Sequence, residues 1–432
     1  MSDICQIKRQ ILQFLTKNGL QRLINFDNEL AASTSQLKKE VKQEVKDEIK
    51  EEAVESTFND LLNWNKVLAF VTPQADFSLI YNKRSLIYQK SKLYKECLNN
   101  IMLAERFNIK EDLTERKKFC QLAIQQQQSQ TSYEVEKNLF QLTYTPNPRM
   151  PFVIDCLKLQ NNEYFGNHII TDQYLNIGDV ICVENNLFVV SPDNHLDTII
   201  ENDSCYQRCS HCYKSNNMDL IPCDNCCFAM FCSTTCKDEA LQIYHKYECS
   251  VSPNLKASAR SMRSFFMTLY LYHGDIKAMK KYFEARGSTV KTVFDYDLSC
   301  PGSPNYNQNL MDIFDSHKAI KNNEPMQDMH TLFNCHLDLV KIWKGNEDFI
   351  WNFVTRHNDN IRELGNVLSK WPGYKTQFIE QRQIVGTAYY PFLQLINHSC
   401  IPNIICHTNE QNQMVLIVCR PIQKGGQLFV GY

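Results

Sequence analysis

A chain of 432 residues holds about two to four domains of ordinary size. Lys and Arg total 46 against 48 Asp and Glu, a net charge of −2, which speaks against bulk electrostatic binding to nucleic acid or to an anionic membrane. Hydrophobic residues at 43% and charged residues at 22% are the proportions of a globular chain. No apolar run reaches the roughly 18 residues of a membrane-spanning helix. The N-terminus from Met1 to Lys8 carries no charged-then-apolar export pattern. No membrane association and no direct nucleic-acid contact are expected, with residence in the nucleus and cytoplasm. The 19 cysteines are then not expected to form disulfides.

In chain order, residues 1–56 read as a polar helical region or linker. Ile11, Leu12 and Leu15, then Val41, Val45 and Ile49, recur at helical spacing, and the run from Lys38 to Glu52 alternates in charge. Residues 57–145 read as several helices, with Leu79, Leu86, Leu93, Leu98, Met102 and Leu103 expected on the apolar face. Asn82, Arg84, Ser85 and Tyr88, followed by Tyr94, Cys97, Leu98 and Ala104, resemble one tetratricopeptide (TPR) repeat. A single repeat cannot bury its own face, so flanking helices must complete a stack. Gln125–Gln128 reads as a helix tail, and Pro146, Pro148 and Pro151 punctuate a linker. The texture then turns to strands: Phe152–Leu159 as one, His168–Thr171 after a turn at Asn161, Asn162 and Gly166, and Val180–Val183 after a turn at Asn176–Asp179. Residues 254–380 read as helical. Strands return at Ile404–His407, Met414–Arg420 and Leu428–Val430, so the strand-rich part is split.

Nine of the cysteines fall between Cys205 and Cys249. Eight potential ligands stand at short spacings: Cys209-x2-Cys212, Cys223-x2-Cys226, Cys232-x3-Cys236 and His245-x3-Cys249. Seven thiolates and one imidazole suffice for two tetrahedral zinc ions, and with little apolar content in view, metal is expected to be required for folding. Cys205 and Cys227 are left over. Spacing alone does not say which four ligands share an ion. The run closely resembles a MYND zinc finger, on Phe231-Cys232-Ser233-x2-Cys236 and His245-Lys246-Tyr247-Glu248-Cys249. That resemblance implies Cys209, Cys212, Cys232 and Cys236 on one Zn²⁺ and Cys223, Cys226, His245 and Cys249 on the other. It also implies recruitment of proline-rich peptide partners.

Near the end stand Gly386-Thr387-Ala388-Tyr389-Tyr390-Pro391 and Asn397-His398-Ser399-Cys400-Ile401-Pro402-Asn403, and the last residues are Lys424 to Tyr432. A Cys/His nucleophile pair is one reading of the second motif, but neighbours in sequence rarely have that geometry. A polar turn between strands is another. Together with Gly-x-x-Leu-x-x-x-Tyr at 425–432, and with Gly166-Asn167-His168 and Ile177-Gly178-Asp179-Val180 to Glu184 upstream, the motif resembles the two halves of a SET domain. A MYND-like finger between those halves, behind TPR-like helices, resembles the TPR-bearing subgroup of the SET and MYND protein-lysine methyltransferases.

The resemblance implies an α+β architecture. A TPR-like helical N-terminal region would precede a β-rich SET domain split into 152–203 and 381–432, with the zinc finger at 209–249 and a helical insert at 254–380. It implies S-adenosyl-L-methionine as methyl donor and a protein substrate carrying a target lysine. It puts the cofactor on Gly166, Asn167, His168, Asn397, His398 and Tyr432, and makes Tyr432 the catalytic residue. Where the family's turn has Gly-x-Gly, Gly166 alone remains. Tyr389 and Tyr390 fit either a lysine channel or a packed core. The family continues past this tyrosine with Cys-x-Cys-x2-Cys, whose thiolates would join Cys400. Without them, the alternative is a catalytically weak or truncated scaffold acting as a protein-interaction module in transcriptional regulation.

Overall fold

The structure is a computed structural model that describes residues 55–70, 77–130, 140–190, 204–249, 262–287, 289–303, 305–317, 329–334, 336–364, 366–370, 383–409 and 411–431. The expected polar helical region at 1–56 lies almost wholly outside these. Among the described residues, no helix is long and apolar enough to cross a membrane. The chain forms two compact units. Among the described residues, one comprises those up to 130 with Cys205–Cys209 and Ser215–Thr234. The other comprises Tyr133–Ser204, Ser210–Lys214 and Thr235–Tyr432.

The first unit is helical. Helices α1 (Glu55–Phe70), α2 (Phe77–Lys90), α3 (Tyr94–Arg106) and α4 (Thr114–Gln130) follow one another, and α4 includes the glutamine run. The face that packs differs from the leucine face expected. Leu79 is 37% and Met102 46% exposed, whereas Tyr81, Ser85 and Tyr88 on α2 and Cys97, Ile101 and Ala104 on α3 are buried. Both sets follow the i, i+4, i+7 rhythm of one helix face. Aromatic size and a buried polar network, rather than leucine content, decide which stripe goes inside. Phe77, Tyr81 and Phe107 lock the α2–α3 pair, with ring centroids 5.2 Å (Phe77–Phe107) and 5.8 Å (Tyr81–Phe107) apart. The short strands β7 (Ile221–Pro222) and β8 (Met230–Phe231) pair in the same unit.

The second unit carries the sheets. β1 (Pro146–Asn147), β2 (Met150–Ile154), β5 (Val180–Glu184), β13 (Met414–Val418) and β12 (Ile404–Thr408) form one five-stranded sheet in the order β1-β2-β5-β13-β12. Strands distant in sequence, β5 and β13, lie side by side with Val183 opposite Val415. β3 (Leu157–Asn162) and β4 (Gly166–Thr171) form a hairpin. β6 (Val189–Val190), β10 (Gln383–Ala388) and β9 (Asn366–Lys370) form a third sheet. Val153, Ile154, Ile169, Ile181, Leu416 and Leu428 are among the buried side chains that join these layers.

Three expectations change here. The proline-rich stretch at 146–151 is a hairpin, not a linker. Pro146 sits on an edge strand, which tolerates a missing N–H, and the Asn147 Oδ1 turns the chain by accepting the Arg149 and Met150 N–H groups. Phe152–Leu159 is two strands, because the chain turns at Asp155 and Cys156. Within the stretch expected to be helical, the described residues after the last helix form strand β9 (Asn366–Lys370). The helices of this part are α6 (Arg263–Leu271), α7 (Ile276–Ala285), α8 (Tyr306–Ser316), α9 (Met329–Asn334), α10 (Leu337–Trp343) and α11 (Glu347–Leu364). They follow a short helix α5 (Thr234–Ala240) in the cysteine-rich segment.

Candidate metal centres and cofactor site

The cysteine-rich segment brings its ligands into two groups: Cys209, Cys212, Cys232 and Cys236, and Cys223, Cys226, His245 and Cys249. Within each, the ligand atoms lie within 4.8 Å of one another. Local structure explains the convergence. The Cys223 N–H bonds back to the Ala229 carbonyl at 3.0 Å, which folds the chain over, and the Cys223 Sγ accepts the Asn225 N–H at 3.5 Å. Helix α5 carries Cys236. A wide helical turn over Leu241–His245, then Lys246–Cys249, brings His245 and Cys249 to the other group. Four thiolates in one group, and three with an imidazole in the other, are a donor chemistry that fits tetrahedral Zn²⁺ with every position filled by protein.

Around His245 the structure adds a buried layer of charged and aromatic neighbours. Glu248 Oε2 lies 3.6 Å from His245 Nδ1. Arg263 donates to both Glu248 oxygens, Nε at 3.0 Å and Nη2 at 2.9 Å, and lies 4.1 Å from the Tyr244 ring centroid. Burial would raise the Glu248 pKa, but the Arg263 charge outweighs it and holds the carboxyl well below the usual range. The Arg263-held carboxylate thus stands beside the imidazole as a buried negative charge. The segment is also less poor in apolar packing than its composition suggested. Met218, Leu220, Phe228, Met230, Phe231, Tyr244 and Tyr247 are buried. Cys205 and Cys227 belong to neither group.

The second candidate site gathers at the β3–β4 turn. The Asn162 Oδ1 accepts the Tyr164 and Phe165 N–H groups at 3.0 and 2.7 Å, and the turn closes on Gly166 at φ +60°, where a Cβ would meet nothing within 4 Å. That left-handed backbone favours glycine. Asn397 donates its Nδ2 to the Phe165 carbonyl at 3.1 Å. Asn397 and His398 form β11, parallel to β14 (Phe429–Val430). Asn403 ties this pair down, donating Nδ2 to the Gln427 carbonyl at 2.9 Å and accepting the Phe429 N–H at 2.7 Å. The turn at Gly166, Asn397 and β14 therefore meet, although the turn lies more than 200 residues before the other two in sequence.

The other expected residues are placed as follows. His168 is buried, its Nδ1 2.9 Å from the Gly166 carbonyl. Asn167 accepts from Asn161 across the hairpin at 2.8 Å. His398 is exposed, with Cys400 Sγ 3.6 Å from its Nε2, so the pair discounted on sequence grounds is in contact. Tyr432 lies outside the described residues. Tyr389 and Tyr390 are core residues. Tyr389 packs on Phe188 and Phe314, and the Tyr390 hydroxyl donates to the Asn412 carbonyl at 2.8 Å.

One contributor was missed at the sequence level. Glu184, buried at the end of β5, accepts the Phe392 and Leu393 N–H groups at 2.6 and 3.1 Å, anchoring the turn that leads to Asn397. Burial pushes its carboxyl up to about 8. It closes the Ile177–Glu184 motif, but nothing in the sequence assigned it a partner.

The SET domain family matches residues 78–432. The chain belongs to that family. The relatives it resembles include SET and MYND domain-containing proteins and protein-lysine methyltransferases. Protein-lysine N-methyltransferase SMYD4 of Danio rerio is 20% identical over 79% of this chain and 51% of its own length. A SET and MYND domain-containing protein of Dictyostelium discoideum is 23% identical over 64% of this chain and 74% of its own. Histone-lysine N-methyltransferase ASHR1 of Arabidopsis thaliana is 22% identical over 64% and 49%. The chain thus spans about half the length of two of these relatives. In this SET-family chain the two cysteine-rich groups fall between the strands that form the SET sheets.

Proposed function

We propose that this chain is an S-adenosyl-L-methionine-dependent protein-lysine N-methyltransferase of the nucleus and cytoplasm. The observation that carries the reading is the meeting of the Gly166 turn, Asn397 and β14. Bound there, the cofactor would supply an electrophilic methyl group on a sulfonium. Gly166 fits this use because nothing fills the space beside its Cα, so a ligand can approach the backbone. Asn397 would hold the methionine end while keeping the turn in place through the Phe165 carbonyl. His398, next along β11, is exposed and would contact the cofactor from that strand. Asn167 and His168 would act from the hairpin, with His168 shaping the turn from within. Tyr432 would orient the target lysine's amine. Holding amine and methyl in line away from water is what such a site must do for transfer.

Support for two resident zinc ions comes from the donor sets of the two cysteine groups. With every metal position filled by protein, their role is structural. The zinc-bearing segment and the TPR-like helices would recruit protein partners, including proline-rich peptides at the finger. The substrate is a protein with an accessible lysine.

The test is calorimetric titration of the chain with S-adenosyl-L-methionine, beside an Asn397→Ala variant. Saturable binding at one site per chain is expected, weakened about tenfold or more in the variant. A folded, metal-loaded chain that binds no cofactor would remove the enzyme reading and leave the scaffold reading in its place.

A further inference from the structure

The first unit holds a recognition arrangement that methyl transfer does not use. Arg84 on α2 is fully buried, and a buried guanidinium must find acceptors. It finds them on one short stretch of chain. Nη1 donates to the Leu220 carbonyl at 2.8 Å, and Nη2 to the Met218 carbonyl at 3.2 Å and to Asp219 Oδ1 at 3.0 Å. Asn100 on α3 donates to the same Oδ1 at 2.7 Å, and Asn99 to Oδ2 at 3.3 Å. Asn65 on α1 donates to the Met218 carbonyl at 3.0 Å and to the Tyr206 carbonyl at 2.8 Å. The Tyr88 hydroxyl donates to the Asn217 carbonyl at 3.0 Å. In all of these bonds the helices supply the donors. Apart from the Tyr206 carbonyl, the acceptors lie on one gripped stretch, which supplies backbone carbonyls and one carboxylate, and which donates once in return, from Asn217 Nδ2 to Glu96 Oε1 on α3 at 2.7 Å.

The gripped backbone is strained. Asn216, Asn217 and Met218 are consecutive left-handed residues at φ 46°, 50° and 57°. For side-chain-bearing residues such a run persists only where its surroundings over-determine it. The helix donors are those surroundings. The fit is therefore that of a receptor on a bound segment, not of incidental packing.

We propose that α1, α2 and α3 form a receptor for a short segment bearing one aspartate, and that residues 216–220 of this chain occupy it as an internal latch. The partner chemistry follows from the donors. A carboxylate is required between Arg84 and Asn100, an asparagine two residues before it meets Glu96 on α3, and the other bonds read backbone, so a peptide carrying Asn-x-Asp from another protein satisfies the same site. The latch lies in sequence between Cys212 and Cys223, members of the two cysteine groups. Resting on the zinc reading above, metal binding fixes the flanks of the latch and keeps its effective concentration high. Metal loss releases the flanks, and the latch then competes poorly with a peptide in solution.

The test uses the full 432-residue chain and a fluorescein-labelled peptide of residues 214–222, followed by fluorescence anisotropy. The zinc-loaded wild-type chain is expected to bind it weakly. The Asp219→Asn chain, its own carboxylate gone, is expected to bind about tenfold more tightly or better. The same peptide carrying Asp219→Asn is expected not to bind, and Asn100→Ala added to the variant chain is expected to abolish the gain. Equal affinity of both chains, or equal affinity for both peptides, overturns the proposal. Should Asp219→Asn fail to fold, wild-type chain treated with chelator replaces it, with zinc content measured before and after. Zinc released without a gain in peptide affinity overturns the latch. A chain that never held zinc instead overturns the metal reading, and the Asp219→Asn comparison then decides the latch alone.

Discussion

Tyr389 and Tyr390 show how a residue's neighbours decide its job. Both stand just before the Asn397 motif, and a pair of tyrosines there suits a substrate channel as well as a core. The structure gives them to the core. Tyr390 is fully buried, and its hydroxyl answers the Asn412 carbonyl. Asn412 has φ +60° and donates its side chain to the Cys212 carbonyl at 2.7 Å, so the bond steadies a turn with its own structural duty. Tyr390→Phe removes one hydroxyl from a buried carbonyl that keeps only the Asn186 Nδ2 donor, at 3.1 Å. The expected loss is about 1 kcal/mol of stability, with affinity for S-adenosyl-L-methionine unchanged. Denaturant unfolding and titration on the same sample check both halves. A tenfold loss of cofactor affinity without loss of stability would return Tyr390 to the site. Asn397 and Gly166 were named from motifs that resemble a SET domain, although the bond that joins Asn397 to the Gly166 turn spans 232 residues. Glu184 closes one of those motifs, but nothing there marked its partners, the Phe392 and Leu393 amides, about 200 residues away.

At the scale of elements, helices α7, α8 and α11 are joined by charge rather than by grease alone. Asp315 on α8 meets Arg286 at 2.8 Å, Arg356, and His357 Nε2 at 3.0 Å. Arg286 also reaches Asp312 at 2.7 Å, and Tyr296 bonds to Asp312. Burial works to raise the Asp315 carboxyl. The His357 hydrogen bond and the charges of His357, Arg356 and Arg286 outweigh it and hold it at about 2. Burial pushes His357 below its ordinary 6.5, and the neighbouring guanidinium charges act the same way against the pull of Asp315. A histidine depressed in the fold binds fewer protons there than in the unfolded chain. Its contribution is complete above about pH 6.5 and is lost as pH falls below that. The Asp315 contribution is present above its ordinary 3.8 and drains between 3.8 and about 2. Thermal melts from about pH 7.5 to 5.5 are expected to show falling stability, with a shallower slope in His357→Gln. Equal slopes would remove His357 as the cause. The helical texture here was readable from periodicity. Strands β9 and β10 were not, because a strand of five or six residues beside a long helix offers too few alternations to read. The hairpin at Pro146 was hidden for a different reason: proline marks a linker and an edge strand alike.

For the whole molecule, the order of parts was legible: helices, strands, cysteine cluster, helices, strands. Sequence could not say how strands 200 residues apart pair, since β5 and β13 carry similar apolar runs and only the folded register sets Val183 against Val415. Nor could spacing alone say which ligands share a metal. The structure gives the interleaved grouping, in which each set takes ligands from separate stretches of the segment. That grouping has a thermodynamic consequence. A segment of about forty residues is near the size where apolar burial alone fails to hold a fold, even with Phe228, Met230 and Phe231 inside. Structural zinc contributes on the order of 10–16 kcal/mol per site near neutral pH, comparable with the whole stability of a domain. Interleaving means that neither site can empty without loosening the chain that frames the other. Cys223→Ser is therefore expected to cost more than its own ion. Elemental analysis of the purified wild-type chain should give two zinc ions, and of the variant fewer than one, with loss of near-ultraviolet dichroism from Tyr213, Tyr244 and Tyr247. A variant that keeps one full equivalent of zinc and an unchanged aromatic spectrum would show the two groups to be independent, and the interleaving would then carry no cooperativity.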